Sequence, residues 1–147
     1  MTARLALFVP LLLLAACHRA ASEPKVTHAW VRLPAVAGQP AAGYFTIHGG
    51  RSDARLVRME SALAAKAEMH QSMAGMAGMA TMVPLDHVDV PAGGRVEFKP
   101  GGNHAMLIGL DPVVKVGTAV PLRFGFADGT TAEAEAKTVS AGQDAPY

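Results

Sequence analysis

Residues 119–139 read AVPLRFGFADGTTAEAEAKTV and carry the clearest fold signal in the chain. Large apolar residues alternate with small or polar ones in the first half, Ala alternates with Glu and Lys in the second, and Asp128-Gly129 lies between the halves. Alternation on both sides of an Asp-Gly pair is typical of a β-hairpin, because these two residues tolerate the backbone conformations of tight turns. The segment therefore predicts two paired strands, residues 119–127 and 130–139.

Further short strand patterns precede this hairpin, separated by Gly and Pro. They cover residues 26–33, 41–48, 54–59, 83–90, 95–99 and 104–110. We expect the patterns at 83–90 and 95–99 to pair with each other, whereas residues 61–67 fit either one helical turn or an irregular connection. Many short strands and no long amphipathic helix indicate an all-β, antiparallel sandwich or barrel. We predict a single domain over residues 25–139 with a short tail at 140–147.

The N-terminus has the pattern of an export signal. Arg4 precedes an apolar run at residues 5–14 that is too short to span a bilayer, and the run ends in Leu14-Ala15-Ala16-Cys17. This ending resembles the lipobox of bacterial lipoproteins; the alternative is an ordinary secretory signal with Cys17 at the cleavage site by chance. We predict a signal peptide over residues 1–16, then a lipidated Cys17 and a tether at residues 17–24. The protein would then be anchored on the periplasmic side of a bacterial envelope membrane.

The single cysteine and the balanced charge exclude several function classes. If Cys17 carries lipid, the mature protein has no thiol, which excludes disulfides, cysteine nucleophiles and a blue-copper centre. Removal of residues 1–16 takes away one charged residue, Arg4, and changes the formal net charge from +1 to 0. Without a basic stripe we expect no nucleic-acid partner, and no carboxylate pair or additional His cluster supports an enzyme.

Soft metal-binding side chains are concentrated between residues 69 and 106. His104-Ala105-Met106 lies in a predicted strand, where residues i and i+2 share one face, so His104 and Met106 would project side by side. His70 and Met82 are the candidates for a second pair. Thioether sulfur is a soft ligand and imidazole a borderline one, and together they favour Cu(I). A core Met beside a surface His is the alternative for the pair at 104 and 106.

The segment between His70 and Met82 has a methionine at every third position. A helix would avoid the intervening glycines, and a strand would place successive methionines on opposite faces, so we predict a flexible, exposed loop of thioethers. These methionines could form a second, weaker copper site or compete with Met82, and the sequence leaves this open. The candidate accessory donors are Met69, Met73, Met76 and Met79.

The spacing of the four main candidates resembles that of the PCuAC (DUF461-like) family of bacterial periplasmic copper chaperones. The family motif is His, eleven residues, Met, twenty-one residues, then His-X-Met. Here His70, eleven residues, Met82 and twenty-one residues precede His104-Ala105-Met106. The resemblance covers residues 25–138 and includes Ala29-Trp30-Val31-Arg32, Ala41-Ala42-Gly43-Tyr44-Phe45, Glu68-Met69-His70 and Pro91-Ala92-Gly93-Gly94.

This resemblance implies a cupredoxin-like, Greek-key β-sandwich that holds one Cu(I) tightly through His70, Met82, His104 and Met106. It implies a chaperone rather than an enzyme, which delivers copper by ligand exchange to a respiratory cytochrome oxidase subunit or to a thiol-bearing assembly protein. A copper storage or tolerance lipoprotein, with the Met-rich loop as a buffer, is the alternative function. We further expect a monomer, with Glu68 and Asp86 as candidates to offset the charge of the site.

Overall fold

The computed structural model describes residues 23–74 and 80–147, so the predicted signal peptide, Cys17, Met76 and Met79 lie outside the described residues. Over the described ranges the chain forms strands and turns, with no helix. No helix that could cross a membrane is therefore found in this part of the chain. The strands are β1 (Lys25–Arg32), β2 (Ala41–His48), β3 (Ala54–Glu60), β4 (Ala64–Ala74), β5 (Ala80–Pro84), β6 (Val88–Val90), β7 (Arg95–Phe98), β8 (Asn103–Leu110), β9 (Ala119–Phe126) and β10 (Thr131–Val139).

The strands form one hydrogen-bonded sheet in the order β5-β4-β8-β7-β2-β1-β10-β9-β3-β6. Most neighbours are antiparallel, as predicted, but β1 runs parallel to β10, and β7 runs parallel to β8 where Phe98 pairs with Asn103. β7 and β8 are joined by residues 99–102 alone and meet at this single residue pair, whereas the longer β1–β10 pairing needs a long crossover connection. The first and last strands can satisfy this because the whole intervening chain joins them.

One apolar core lies between the two halves of this sheet. It contains fully buried side chains from strands far apart in the hydrogen-bonded order, such as Leu107 of β8 and Leu56 of β3. At its centre Phe45 of β2 stacks on Phe98 at a ring-centroid distance of 4.2 Å and meets the edge of Phe124 at 4.7 Å. Since strands from both ends of the order line the same core, the sheet folds over on itself. The predicted all-β sandwich is confirmed.

A β-bulge in β1 decides which aromatic side chains lie outside this core. The register of β1 against β2 shifts between Thr27 and Trp30, and His28 has a positive φ of 51°. An extra residue reverses the alternation of side chains along a strand. Val31 therefore enters the main core, while Trp30 packs against Tyr44 in a separate cluster. The sequence pattern predicts this strand but not its bulge.

The connections confirm one predicted hairpin and correct another. β9 and β10 pair across the turn at Asp128-Gly129, as predicted. The predicted pairing of residues 83–90 with 95–99 is wrong, because β6 pairs with β3 and β7 pairs with β2. The intervening residues 91–94 do close a tight turn, in which the Gly94 N–H donates to the Pro91 carbonyl, but this turn is hydrogen-bonded to Gly49-Gly50 and the strands on its two sides pair elsewhere. For residues 61–67 the helical turn is excluded, since β4 begins at Ala64.

Gly49 is the point of closest approach in this connection. Its N–H donates to the carbonyl of Gly94 at 2.8 Å, and a Cβ at position 49 would lie 2.1 Å from the carbonyl oxygen of Pro91. We expect Gly49→Ala to lower the free energy of unfolding by about 3 kcal/mol, the upper end of the usual cost of overpacking, because backbone must move. Denaturant unfolding measures the change. In the control Gly102→Ala the new Cβ meets only the Lys99 side chain and main chain, at 3.5 Å or more, and equal losses in both variants would contradict the prediction.

Candidate metal centre

The Met-rich segment forms strands where the structure describes it. β4 and β5 are antiparallel partners, with His70 opposite Pro84 and Ser72 opposite Met82. The flexible loop predicted between His70 and Met82 is therefore wrong for residues 71–74 and 80–81. The predicted exposure of the methionines holds for Met73 and Met82, which are 52% and 57% exposed. Backbone pairing with β8 and β5 on its two sides explains why β4 is a regular strand here.

The register places the four candidate ligands on one face of β5, β4 and β8. His70 of β4 lies directly opposite His104 of β8, and residues that are paired in this way point to the same face. Met106 follows His104 by two residues and shares its face, and Met82 shares the face of Ser72 and hence of His70. Met82 and Met106 are thus the diagonal neighbours of His70. Such neighbours are about 7–8 Å apart, which long side chains can span.

The two imidazoles lie close enough to share one ion. Their ring centroids are 5.9 Å apart and the ring planes are tilted by 38°. Imidazole nitrogen binds transition metals at about 2 Å, so a single ion between the rings could contact a nitrogen of each. The side chain of His70 is only 15% exposed, and His104 is 7% exposed. The His pair is therefore largely buried.

Hydrogen bonds determine which nitrogen of each ring carries a lone pair. His104 Nδ1 lies 3.1 Å from the carbonyl oxygen of Gly102, and His70 Nε2 lies 3.1 Å from Oε2 of Glu68. Carbonyl and carboxylate oxygens only accept, so the ring nitrogens that face them must carry the protons. In the neutral rings the lone pairs are then on His104 Nε2 and His70 Nδ1.

The lone-pair nitrogen of His70 has no partner within the protein. In the described part of the chain, Nδ1 of His70 is the one buried side-chain nitrogen or oxygen without a hydrogen bond. A buried, unpaired polar group of this kind costs about 1–3 kcal/mol, so its persistence calls for an explanation. A bound metal ion supplies one. Within the described residues there is no cluster of three or more His, Cys, Asp or Glu suited to a metal, and the thioethers of Met82 and Met106 are further soft donors on the face of the two histidines.

The candidate methionines differ in how far their side chains are exposed to solvent. Met106 is partly buried and Met82 is exposed, which makes Met82 the most accessible of the four candidate ligands. Met69 alternates with His70 along β4 and is buried in the core, so its position does not support the accessory role considered for it. Met73 also lies on the face opposite to His70. The accessory candidates Met76 and Met79 lie outside the described residues.

Glu68 is the acidic residue in contact with this site. Its carboxylate accepts from His70 and forms an ion pair with Lys66, and the Lys66 hydrogen bond followed by the His70 hydrogen bond lowers the pKa of Glu68 below its ordinary value. Asp86, the other acidic candidate, is exposed. The contribution of Lys66 is not among the predictions made from the sequence. Its signal was the i, i+2, i+4 spacing of Lys66, Glu68 and His70, which places all three on one face of a strand.

A folded-over β-sheet that carries two histidines and two methionines on one face defines a class of protein, a β-sandwich domain with a candidate site for a soft metal. The chain belongs to the LpqE-like (PCuAC/DUF461) family, whose profile, described as "Putative lipoprotein LpqE-like", matches residues 25–138. This confirms the family to which the sequence was compared. The fold is the cupredoxin-like fold of PCuAC domains.

Similar structures and relatives agree with this assignment. The copper-bound PCuAC domain from PmoF2 has a TM-score of 0.66 and 23% identity, over 82% of this chain and 96% of that domain. The solution structure of CuI-DR1885 from Deinococcus radiodurans has a TM-score of 0.59 and 27% identity, over 87% and 85% of the two chains. "Putative lipoprotein Lxx21020" of Leifsonia xyli subsp. xyli (strain CTCB07) is 28% identical over 107 residues, or 73% of this chain. That match spans 64% of the relative's length.

Proposed function

We propose that this protein is a copper chaperone that binds one Cu(I) as cargo through His70, Met82, His104 and Met106. The observation that carries the proposal is the His70–His104 pair, with one lone pair on each ring and one of them buried without a partner. The names of the similar structures, a copper-bound PCuAC domain and CuI-DR1885, support copper as the cargo. Four neutral donors favour Cu(I) over Cu²⁺ or Zn²⁺.

The graded exposure of the four side chains suggests how copper leaves the site. Met82 is the most exposed ligand and a thioether, which binds more weakly than a thiolate, whereas the two imidazoles are largely buried. An incoming thiolate would replace Met82 first and Met106 next, and the histidines would release the ion last. This is ligand exchange between two proteins, and no bond in a substrate is made or broken.

The location and the recipient extend the same proposal. The export signal and the lipoprotein names of the family and of the Leifsonia relative support a lipid anchor at Cys17 on the periplasmic side of the envelope. The recipient would be a copper-accepting subunit of a respiratory oxidase or a thiol-bearing assembly protein. In this organisation residues 1–16 are the signal peptide, 17–24 the lipidated tether, 25–139 the copper-binding domain and 140–147 the tail.

A Cu(I) titration of the mature protein against a chromophoric chelator tests the proposal. We expect one tightly held equivalent of copper, because His70, Met82, His104 and Met106 share one face of the sheet among the residues that the structure describes. The Met73/Met76/Met79 triple Ala variant should still hold that equivalent. Several equivalents of similar affinity, lost in the triple variant, would contradict a chaperone and support the storage function instead.

A further inference from the structure

Lys66, Glu68 and His70 form a row of polar side chains on one face of β4. We propose that Glu68, itself held by Lys66, is a positioning residue that keeps His70 in the tautomer with the proton on Nε2 and thereby presents Nδ1 to copper. This inference rests on the proposed function, since copper is the ion that Nδ1 would bind. It assigns Glu68 a role through His70 and not as a ligand.

The contacts at both ends of Glu68 carry the inference. Oε2 of Glu68 lies 3.1 Å from Nε2 of His70, and Oε1 pairs with the ammonium of Lys66. Lys66 therefore holds one carboxylate oxygen of Glu68. The other oxygen faces His70 and, as a carboxylate oxygen, can only accept a hydrogen bond from it. On the far side of the ring, Nδ1 is buried and has no partner within the protein. A metal-binding histidine characteristically donates its other N–H to a carboxylate or carbonyl group in this way.

The two histidines of the pair are oriented by different kinds of partner. His104 donates to a main-chain carbonyl, that of Gly102, which is present whatever side chain the position carries. The orientation of the His70 ring depends on the side chain of Glu68, so a single substitution can abolish it. Glu68 also lies directly opposite Met106, so its charge could act on copper through space. A Gln at position 68 separates the two effects, because it keeps an accepting oxygen and loses the charge.

The test compares the mature wild-type protein with Glu68→Ala and Glu68→Gln. The first readout is the ¹⁵N chemical shifts of the His70 ring in the copper-free protein, at a pH at which no imidazolium signal is present. The second is Cu(I) affinity from chelator competition. Glu97→Ala is the matched control, because Glu97 on β7 is likewise flanked by basic residues, Arg95 at 2.9 Å and Lys99 at 3.5 Å.

We expect wild-type His70 to carry its proton on Nε2 and Glu68→Ala to lose this preference. Substitution of a residue that hydrogen-bonds to a metal ligand typically lowers metal affinity about 10–100-fold, and we expect a loss of Cu(I) affinity of that size in Glu68→Ala. Glu68→Gln should keep the tautomer and lose less than about tenfold, and Glu97→Ala should change neither readout.

A proton on Nδ1 in the wild type would overturn the inference. So would an unchanged tautomer in Glu68→Ala, or a changed tautomer with unchanged affinity. Equal losses of affinity in the Ala and Gln variants, with the tautomer kept in Gln, would also overturn it, since the charge alone would then be responsible. Failure of the wild type to bind Cu(I) would instead reject the proposed function, and the ring shifts of the copper-free protein would still report whether Glu68 orients His70.

Discussion

Met106→Ala is expected to weaken Cu(I) binding by more than about 100-fold, because loss of a direct ligand should exceed the roughly 10–100-fold cost of losing an outer partner. Met106 is partly buried, shares a face with His104 and is a diagonal neighbour of His70. Removal of its thioether would leave two imidazoles and the exposed Met82. Chelator competition with the mature protein measures the affinity.

Met73→Ala is the matched control for this variant. Met73 lies within the same Met-rich segment, but it points to the opposite face of β4 and is 52% exposed. Its removal should leave the tight site intact within about twofold, the scatter expected of a surface substitution. Unchanged copper binding in Met106→Ala, or an equal loss in Met73→Ala, would reject the assignment of the four ligands.

Phe45→Ala is expected to lower the free energy of unfolding by about 3–5 kcal/mol, the usual cost of emptying an aromatic site in a packed core. Phe45 is 2% exposed and lies between Phe98 and Phe124, which belong to different parts of the folded-over sheet. Loss of the Phe45 ring would therefore remove contacts between the two layers of the sandwich as well as contacts within one layer. Denaturant unfolding followed by circular dichroism measures the loss.

Val36→Ala provides the comparison for a residue outside the core. Val36 is 65% exposed in the turn between β1 and β2, so its truncation should change stability by no more than about 0.5 kcal/mol. A loss below about 1 kcal/mol in Phe45→Ala would show that the aromatic stack is not the centre of the core.

Much of the fold could be predicted from local pattern. The final hairpin is built from alternation and an Asp-Gly turn, both of which act over a few residues, and both β9 and β10 lie where they were expected. The faces of short strands follow from the same alternation, which predicts that His104 and Met106 share one face, and Ala105 between them is fully buried on the other. His70 and Met82 are candidates because of their donor atoms, their spacing matches the family motif, and their binding of copper remains a prediction.

The predictions that were wrong concern features that depend on contacts between residues far apart in the sequence. Residues 83–90 and 95–99 have strand character, but their partners are β3 and β2, and a hairpin pattern cannot report such a choice. Residues 69–74 of the Met-rich segment have weak strand propensity of their own, and pairing with β8 and β5 makes them a strand. In that strand Met69 points into the core, whereas the sequence made it a candidate copper donor.

By itself, the sequence determined the class of fold, the family and the types of donor available, because strand alternation, turn residues and ligand chemistry are local properties. Only the tertiary structure decided that His70 stands opposite His104 and that Met73 lies on the other face of β4. It also decided that Glu68 accepts from Nε2 of His70, whereas the Gly102 carbonyl accepts from Nδ1 of His104. These relations are set by strand register between β4, β5 and β8. A shift of one residue in that register would send every one of these side chains to the other face of the sheet.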